Sequence, residues 1–427
     1  MKKFLTLILT LAILMMAAVP AMAEEPIKIE FWHSFGSGAN LECIDSIIAD
    51  FNASQDKYVV EGSYQGGYVD IFSKVTVGYA AGEVPAVTFL DSVDCPRLIQ
   101  NGMLLNLSEY AAANDPEFDF SVFFEGLMNY GTGPDGDYYA LPMGRSTPLM
   151  YMNMDIIKEA TGGEAVVPQN RQELVDLLVK IRDNTDKVPF CFPLACWYFA
   201  NFTTTAGYGF ISADGETCYL KDGALQSFQF MEYLKKEGLL QVAPVGDGSW
   251  PNNEFKAGNI AVLFQSTGNM TGFMRDCAFE LNAAFLPADQ KFSVATGGNN
   301  LQIINKNDEE VIAGAWEFIK FCTSLEINAR VNEGTGYILT HKDSETLESV
   351  QKLWQEKPLY KVAYDQLVYV EDLYVSPYFA ELNQEVVNLM SALLQDGQMT
   401  AEEAYDQLML VCENLFPGGC ISESEAA

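Results

Sequence analysis

The chain has 427 residues and is strongly acidic, with 58 Asp or Glu against 25 Lys or Arg and a formal charge of −33. Nucleic acid and anionic lipid are excluded as partners, because both need basic side chains to displace their counterions. Hydrophobic residues make up 49% of the chain, ample for packed cores, and ~400 residues exceed what one core holds, so two lobes are expected.

The N-terminus reads first. Lys2 and Lys3 precede an apolar run from Phe4 to Val19 and then Ala21-Met22-Ala23, the pattern of an export signal with a small-x-small cleavage site. The run is shorter than the roughly 20 residues of a membrane-spanning helix. Residues 1–23 are therefore expected to be removed, leaving a soluble protein at the periplasmic or extracellular face of a bacterial membrane. No cysteine at the cleavage site offers a lipid anchor.

From Ile27, Ile-Lys-Ile-Glu-Phe-Trp alternates as a strand, and Gly36-Ser37-Gly38 turns into a helix over about Asn40 to Phe51. A strand over Tyr58 to Tyr64, a helix over Tyr68 to Ala81 and a short apolar strand over Ala86 to Leu90 follow. This β-α-β-α-β order predicts a mostly parallel sheet covered by helices, whose ligands sit beyond the carboxyl ends of the strands. The turns after Trp32, Tyr64 and Leu90 are the first places to look. A second block opens with the strand Pro148 to Asn153, and Asn170-x-x-Glu173 caps a helix over Leu174 to Ile181. Helices are expected near Gln226 to Lys236 and Val311 to Thr323, then over Leu347 to Trp354, Leu359 to Gln366, Glu381 to Leu394, and from Thr400-x-x-Glu403 to Leu415. After Pro417-Gly418-Gly419 the polar end reads as a flexible tail.

Chemistry is sparse. His33 and His341 are the only histidines, and no H-E-x-x-H, Walker or kinase pattern occurs. The Gly36-x-Gly38 turn lacks the third glycine of a dinucleotide site, so neither catalysis nor a cofactor is expected. Nine cysteines, an odd number, have no C-x-x-C spacing, which argues against a metal site or a thioredoxin-like pair. Cys191 with Cys196 and Cys412 with Cys420 are near-sequence disulfide candidates, and full reduction is equally open. The positive signal is a set of turns rich in aromatic and small polar residues: Trp32-His33-Ser34, Tyr64 to Tyr68, Ser146-Thr147, Trp197-Tyr198, Gln265 to Gly268, Gly297 to Asn300 and Gly334 to Tyr337. Aromatic faces cover the apolar patches of a sugar or polyol, while hydroxyls, amides and glycine N–H groups take its oxygens.

Phe31-Trp-His-Ser34, Pro142-Met-Gly-Arg-Ser-Thr-Pro148 leading into Leu149-Met-Tyr-Met-Asn153, Gly297-Gly-Asn-Asn-Leu301 and Gly334-Thr-Gly-Tyr337 together resemble landmarks of the family 1 extracellular solute-binding proteins of ABC importers. The sn-glycerol-3-phosphate-binding branch is the most similar, over almost the whole mature chain. The resemblance implies an α/β, two-lobed, type II periplasmic-binding-protein-like fold that closes on a small polar solute and delivers it to the transmembrane subunits of an ABC permease. It also implies a monomer without cofactor. The N-terminal lobe would comprise residues 24–143 and 294–323, and the C-terminal lobe residues 147–293 and 324–418. Crossings are placed near Met143 to Thr147, Phe292 to Thr296 and Thr323. Ligand contacts carried over by motif, together with the aromatic turns, are Trp32, His33, Tyr68, Asp91, Ser92, Ser146, Trp197, Ser266, Thr267, Gly298 and Tyr337. The family's late arginine falls around Leu373 to Ser376, where no basic residue stands; Arg145 is the available substitute as an anion clamp. Without that late arginine, both a glycerol phosphate derivative and a carbohydrate stay open as ligands. Two rivals make different demands: a secreted polysaccharide hydrolase needs a facing carboxylate pair roughly 5–10 Å apart, and a surface interaction protein needs exposed apolar patches.

Overall fold

The computed structural model describes residues 25–371 and 375–426, so the export signal lies outside the described residues. Strand β1 (Ile27–His33) leads through α1 (Gly38–Ser54) to β2 (Tyr58–Tyr64), and α2 (Tyr68–Gly78) leads to β3 (Val87–Asp91). Helix α1 buries Cys43, Ile44, Ile47, Ile48 and Phe51, the three-to-four spacing that lays one face of a helix on a sheet. Strand β4 (Ala140–Ser146) and β5 (Pro148–Asn153) are separated by Thr147 alone. The chain continues through α3 (Arg171–Asn184), β6 (Val188–Cys191), α4 (Cys196–Thr205), α5 (Leu220–Lys236), β7 (Ile260–Ser266) and β8 (Leu281–Ala284). Strands β9 (Val294–Ala295) and β10 (Gly297–Ile303) are separated by Thr296, and α6 (Glu309–Cys322), α7 (Leu325–Thr335), β11 (Val370–Glu371), α8 (Phe379–Ser391) and α9 (Ala401–Leu415) complete the larger elements.

Two sheets organise the lobes. The first is five-stranded in the order β2-β1-β3-β10-β4, the second four-stranded in the order β6-β7-β5-β8. In the first sheet β1 pairs parallel with β2 and β3, and β10 runs antiparallel between β3 and β4, so β10 alone is reversed and the other four strands share one direction. The expectation of a mostly parallel sheet holds for strand direction, but the reversed β10 makes the sheet mixed. It came from the first three strands, and β10 was read as a Gly-rich turn, whereas Leu301 and Ile303 bury that segment between two neighbours. Likewise β7, of which only the turn at its end is read from the sequence, is a buried strand of Ile260-Ala-Val-Leu-Phe, antiparallel to β5 and parallel to β6.

The backbone passes from the first sheet to the second at Thr147 and returns at Thr296. Helix α7 was expected in the C-terminal lobe. It packs Ile327 and Val331 into the core built on β1, β3 and β10, and Ala329 into the neighbouring core with Leu149, Leu263 and Ile338, so it bridges the two. The expected flexible tail is fastened: Cys218 N donates to Gly419 O at 3.0 Å, Ile421 N donates to Cys218 O at 3.0 Å, and Glu423–Ala426 form a final helical turn. All nine cysteines are free, so neither candidate disulfide is present.

Candidate functional site

Where the two sheets meet, the strand ends converge on a cavity of about 290 Å³. Asp91 ends β3, Ser146 ends β4 and Ser266 ends β7; Tyr68 opens α2 directly after the β2 turn. Gly297 and Gly298 open β10, Trp197 stands on α4, and Tyr337 follows α7. All of these line the cavity, with Asn40, Val93, Ala195, Gly268, Asn269, Thr296, Phe379 and Asn383. The rule that ligand space lies beyond strand carboxyl ends thus holds for Asp91, Ser146 and Ser266.

The side chains are held from behind. Asn299 Nδ2 donates to Tyr68 Oη at 2.7 Å, and Tyr68 also hydrogen-bonds Tyr337. Trp197 Nε1 donates to Ala295 O at 3.1 Å, fixing the indole against the second crossing strand. Tyr151 Oη donates to Ser266 O at 3.0 Å. Two glycines permit this packing. A Cβ on Gly268 would sit 2.6 Å from the Tyr337 ring, so the ring lies flat on bare backbone. Gly298 has φ +85° and a Cβ there would stand 2.1 Å from Gly144 O, just before the β10–β4 register slips between Asn299 and Asn300.

Electrostatically the cavity is mildly acidic. Burial pushes the Asp91 carboxyl up to about 6, against the pull of the Val93 amide and the Arg145 guanidinium. Asp94, buried behind it, is raised well above the carboxylate range by burial and by Asp91. Burial also raises the Tyr68 and Tyr337 phenols, so both remain neutral hydrogen-bonding groups at any physiological pH. Among the described residues, no Lys or Arg lines the space.

The remaining sequence-predicted residues stand elsewhere. Trp32 packs against the cluster containing Leu90 and Leu98, and its Nε1 donates to Glu30 Oε1 at 2.8 Å. His33 is buried beside Phe31, and burial pushes its pKa down, leaving a neutral core imidazole. Ser92 and Thr267 are fully buried one residue beyond lining positions. Each opens a 3-10 turn directly after its strand, Ser92 after β3 and Thr267 after β7, and its side chain is buried there. Arg145, also fully buried, donates from Nη2 to Thr296 Oγ1 at 2.8 Å and lies over the Tyr130 ring at 4.9 Å. It supports the crossing strands instead of lining the cavity, as its β4 neighbour Ser146 does. Of the lining residues not predicted individually, Asn40 follows the flagged turn after Trp32. Phe379 and Asn383 come from a C-terminal helix and carried no sequence signal.

A sheet-crossing fold with a polar aromatic cleft at the crossing defines a class of binding proteins. The chain belongs to the bacterial extracellular solute-binding proteins, whose family profile matches residues 46–361, and it is a solute-binding component of the ABC importers that this family serves. Among curated relatives, the sn-glycerol-3-phosphate-binding periplasmic protein UgpB of Escherichia coli O1:K1 is 24% identical over 365 residues, 82% of this chain and 83% of that protein. Among solved structures, the GacH receptor of Streptomyces glaucescens, described unliganded and with acarbose, superposes with a TM-score of 0.82 at 17% identity, covering 93% of this chain and 100% of that one. UgpB of Mycobacterium tuberculosis in complex with glycerophosphocholine gives 0.80 at 22% identity, over 89% and 96% of the two chains.

Proposed function

We propose that this chain, exported and cleaved near Glu24, works as a monomer that captures a neutral, hydroxyl-rich solute, a carbohydrate or polyol, in the cavity between its lobes. It releases that solute chemically unchanged to an ABC permease. One observation carries the choice of ligand. The lining combines the aromatic faces of Tyr68, Trp197, Tyr337 and Phe379 with hydroxyls and amides, and among the described residues its single acidic or basic side chain is Asp91. Rings of this kind cover the C–H faces of a sugar, and a carboxylate accepts two sugar hydroxyls. A phosphate monoester would meet a carboxylate and no cation in the lining. A single lining carboxylate also supports binding over glycoside hydrolysis, which uses two. Thr147, the single residue between β4 and β5, and Thr296, the single residue between β9 and β10, are the natural hinge for closure.

A second reading rests on the same Asp91 beside Trp197: a quaternary ammonium fits between a carboxylate and an indole face. A glycerophosphodiester with a cationic head, such as the ligand of the mycobacterial structure, has that chemistry. Calorimetric titration of the mature protein, unfolded and refolded to strip carried-over solute, decides among them. Micromolar or tighter binding of an oligosaccharide with none of glycerol 3-phosphate supports the first reading. Binding of glycerophosphocholine alone selects the second, and tight binding of glycerol 3-phosphate overturns both.

A further inference from the structure

Remote in sequence from the lining, three buried thiols converge. Cys218 precedes α5, Cys412 lies on α9 and Cys420 is in the terminal segment; their Sγ atoms all lie within 4.8 Å of one another. Exposures are 0% for Cys218 and Cys412 and 9% for Cys420. Three thiolates around one ion at about 2.3 Å stand roughly 3.8–4.0 Å apart, so this cluster needs only a small contraction to enclose a metal. A further soft donor is at hand, since Met409 Sδ lies 3.7 Å from Cys420 Sγ. The amides of Leu220 and Lys221, in the first turn of α5, hydrogen-bond the Cys420 sulfur, and the Leu220 amide also meets Cys218. Amide donors directed at sulfur are the outer-shell arrangement that neutralises metal thiolates.

We propose that Cys218, Cys412 and Cys420 form a site for a thiophilic d10 ion, Zn2+ or Cu+, that fastens the C-terminal segment to the second lobe. Binding is an acid–base exchange: each ligating thiol releases its proton to solvent, three sulfur–metal bonds form, and no electron is transferred. The terminal segment supplies one ligand, and its bonds from Cys218 N to Gly419 O and from Cys420 N to Glu413 Oε2, both 3.0 Å, already hold it in place. The sequence reading had set a metal site aside for want of C-x-x-C spacing. The fold supplies the proximity that the spacing lacks.

The test uses the whole mature chain, reduced and metal-free under inert gas, titrated separately with Zn2+, with Cd2+ as its spectroscopic substitute, and with Cu+ against a competing chelator. Expected is an equimolar end point for at least one ion, an ultraviolet thiolate-to-metal band with Cd2+ or Cu+, and a melting temperature several degrees higher. Whichever ion survives the chelator competition identifies the occupant. Cys420→Ser, which leaves the rest of α9 and α5 untouched, should abolish the end point, and Cys277→Ser should preserve it. Solute binding by both variants establishes that they fold. The proposal is overturned by the absence of an equimolar end point with all three ions, by a band that persists in Cys420→Ser, or by a disulfide within the trio in protein isolated with its thiols blocked.

Discussion

In the proposed reading ligand choice turns on Asp91, and its burial has a pH signature. An ordinary Asp titrates near 3.9, whereas burial holds Asp91 at about 6. Between those values the folded protein keeps a proton that the unfolded chain has lost. The stability from this group is therefore full below about pH 4 and is lost as pH rises through about 6. Asp91→Asn should raise the melting temperature at pH 7.5, by an amount corresponding to on the order of 1–3 kcal/mol, and leave it nearly unchanged at pH 4. Thermal melts at the two pH values check this; equal shifts at both would remove the carboxyl as the cause. The same variant should bind solute more weakly at pH 7.5, since an amide oxygen accepts less strongly than a carboxylate. Trp197→Ala removes the largest apolar face in the lining, and titration should show a loss of at least tenfold in affinity with the fold intact, a typical penalty of about 2 kcal/mol for truncating a central aromatic anchor.

At the level of elements, local chemistry made most helices legible. Thr400 and Glu403 form the reciprocal cap read from their spacing: Glu403 N donates to Thr400 Oγ1 at 3.2 Å and Thr400 N to Glu403 Oε2 at 2.9 Å. Thr400→Ala is expected to lower stability by about 1 kcal/mol in denaturant titration, with solute affinity unchanged. Asn170 caps α3 by accepting from Glu173 N at 2.9 Å, while the Glu173 carboxylate accepts from Gln169 N at 2.8 Å. What escaped the sequence were elements whose character depends on partners. Gly297-Gly-Asn-Asn has turn composition, yet it becomes a strand because β3 and β4 flank it on both sides. Gly298→Ala should be more damaging than a helix cap, costing well over 1 kcal/mol, since φ +85° and the Gly144 carbonyl both oppose a side chain. Helix α4, with Phe199, Phe202 and Thr203 buried on every side, shows too little amphipathic contrast to stand out. The site was legible where a motif sat at a strand end, as with Ser146, Ser266 and Gly298. It was illegible where a distant helix supplied the wall.

For the whole molecule, Thr147 joins β4 of the first sheet to β5 of the second, and Thr296, which lines the cavity and accepts from Arg145, joins β9 to β10. A solute that touches Tyr68 and Asp91 on one side and Trp197 and Ser266 on the other favours the closed arrangement by its contacts to both. Small-angle scattering should then show a smaller radius of gyration in saturating solute than in stripped protein. An unchanged radius would place the molecule in one rigid state.

The position of β10 sets the order in which the protein can come into being. It lies between β3 and β4, so the first sheet lacks its middle until residue 303 has been synthesised, and the second lobe lacks the bridge at Cys420 until almost the last residue. A nascent chain leaving the ribosome therefore has no finished domain to seal early. A polypeptide built this way stays threadable until residue 303 has been made.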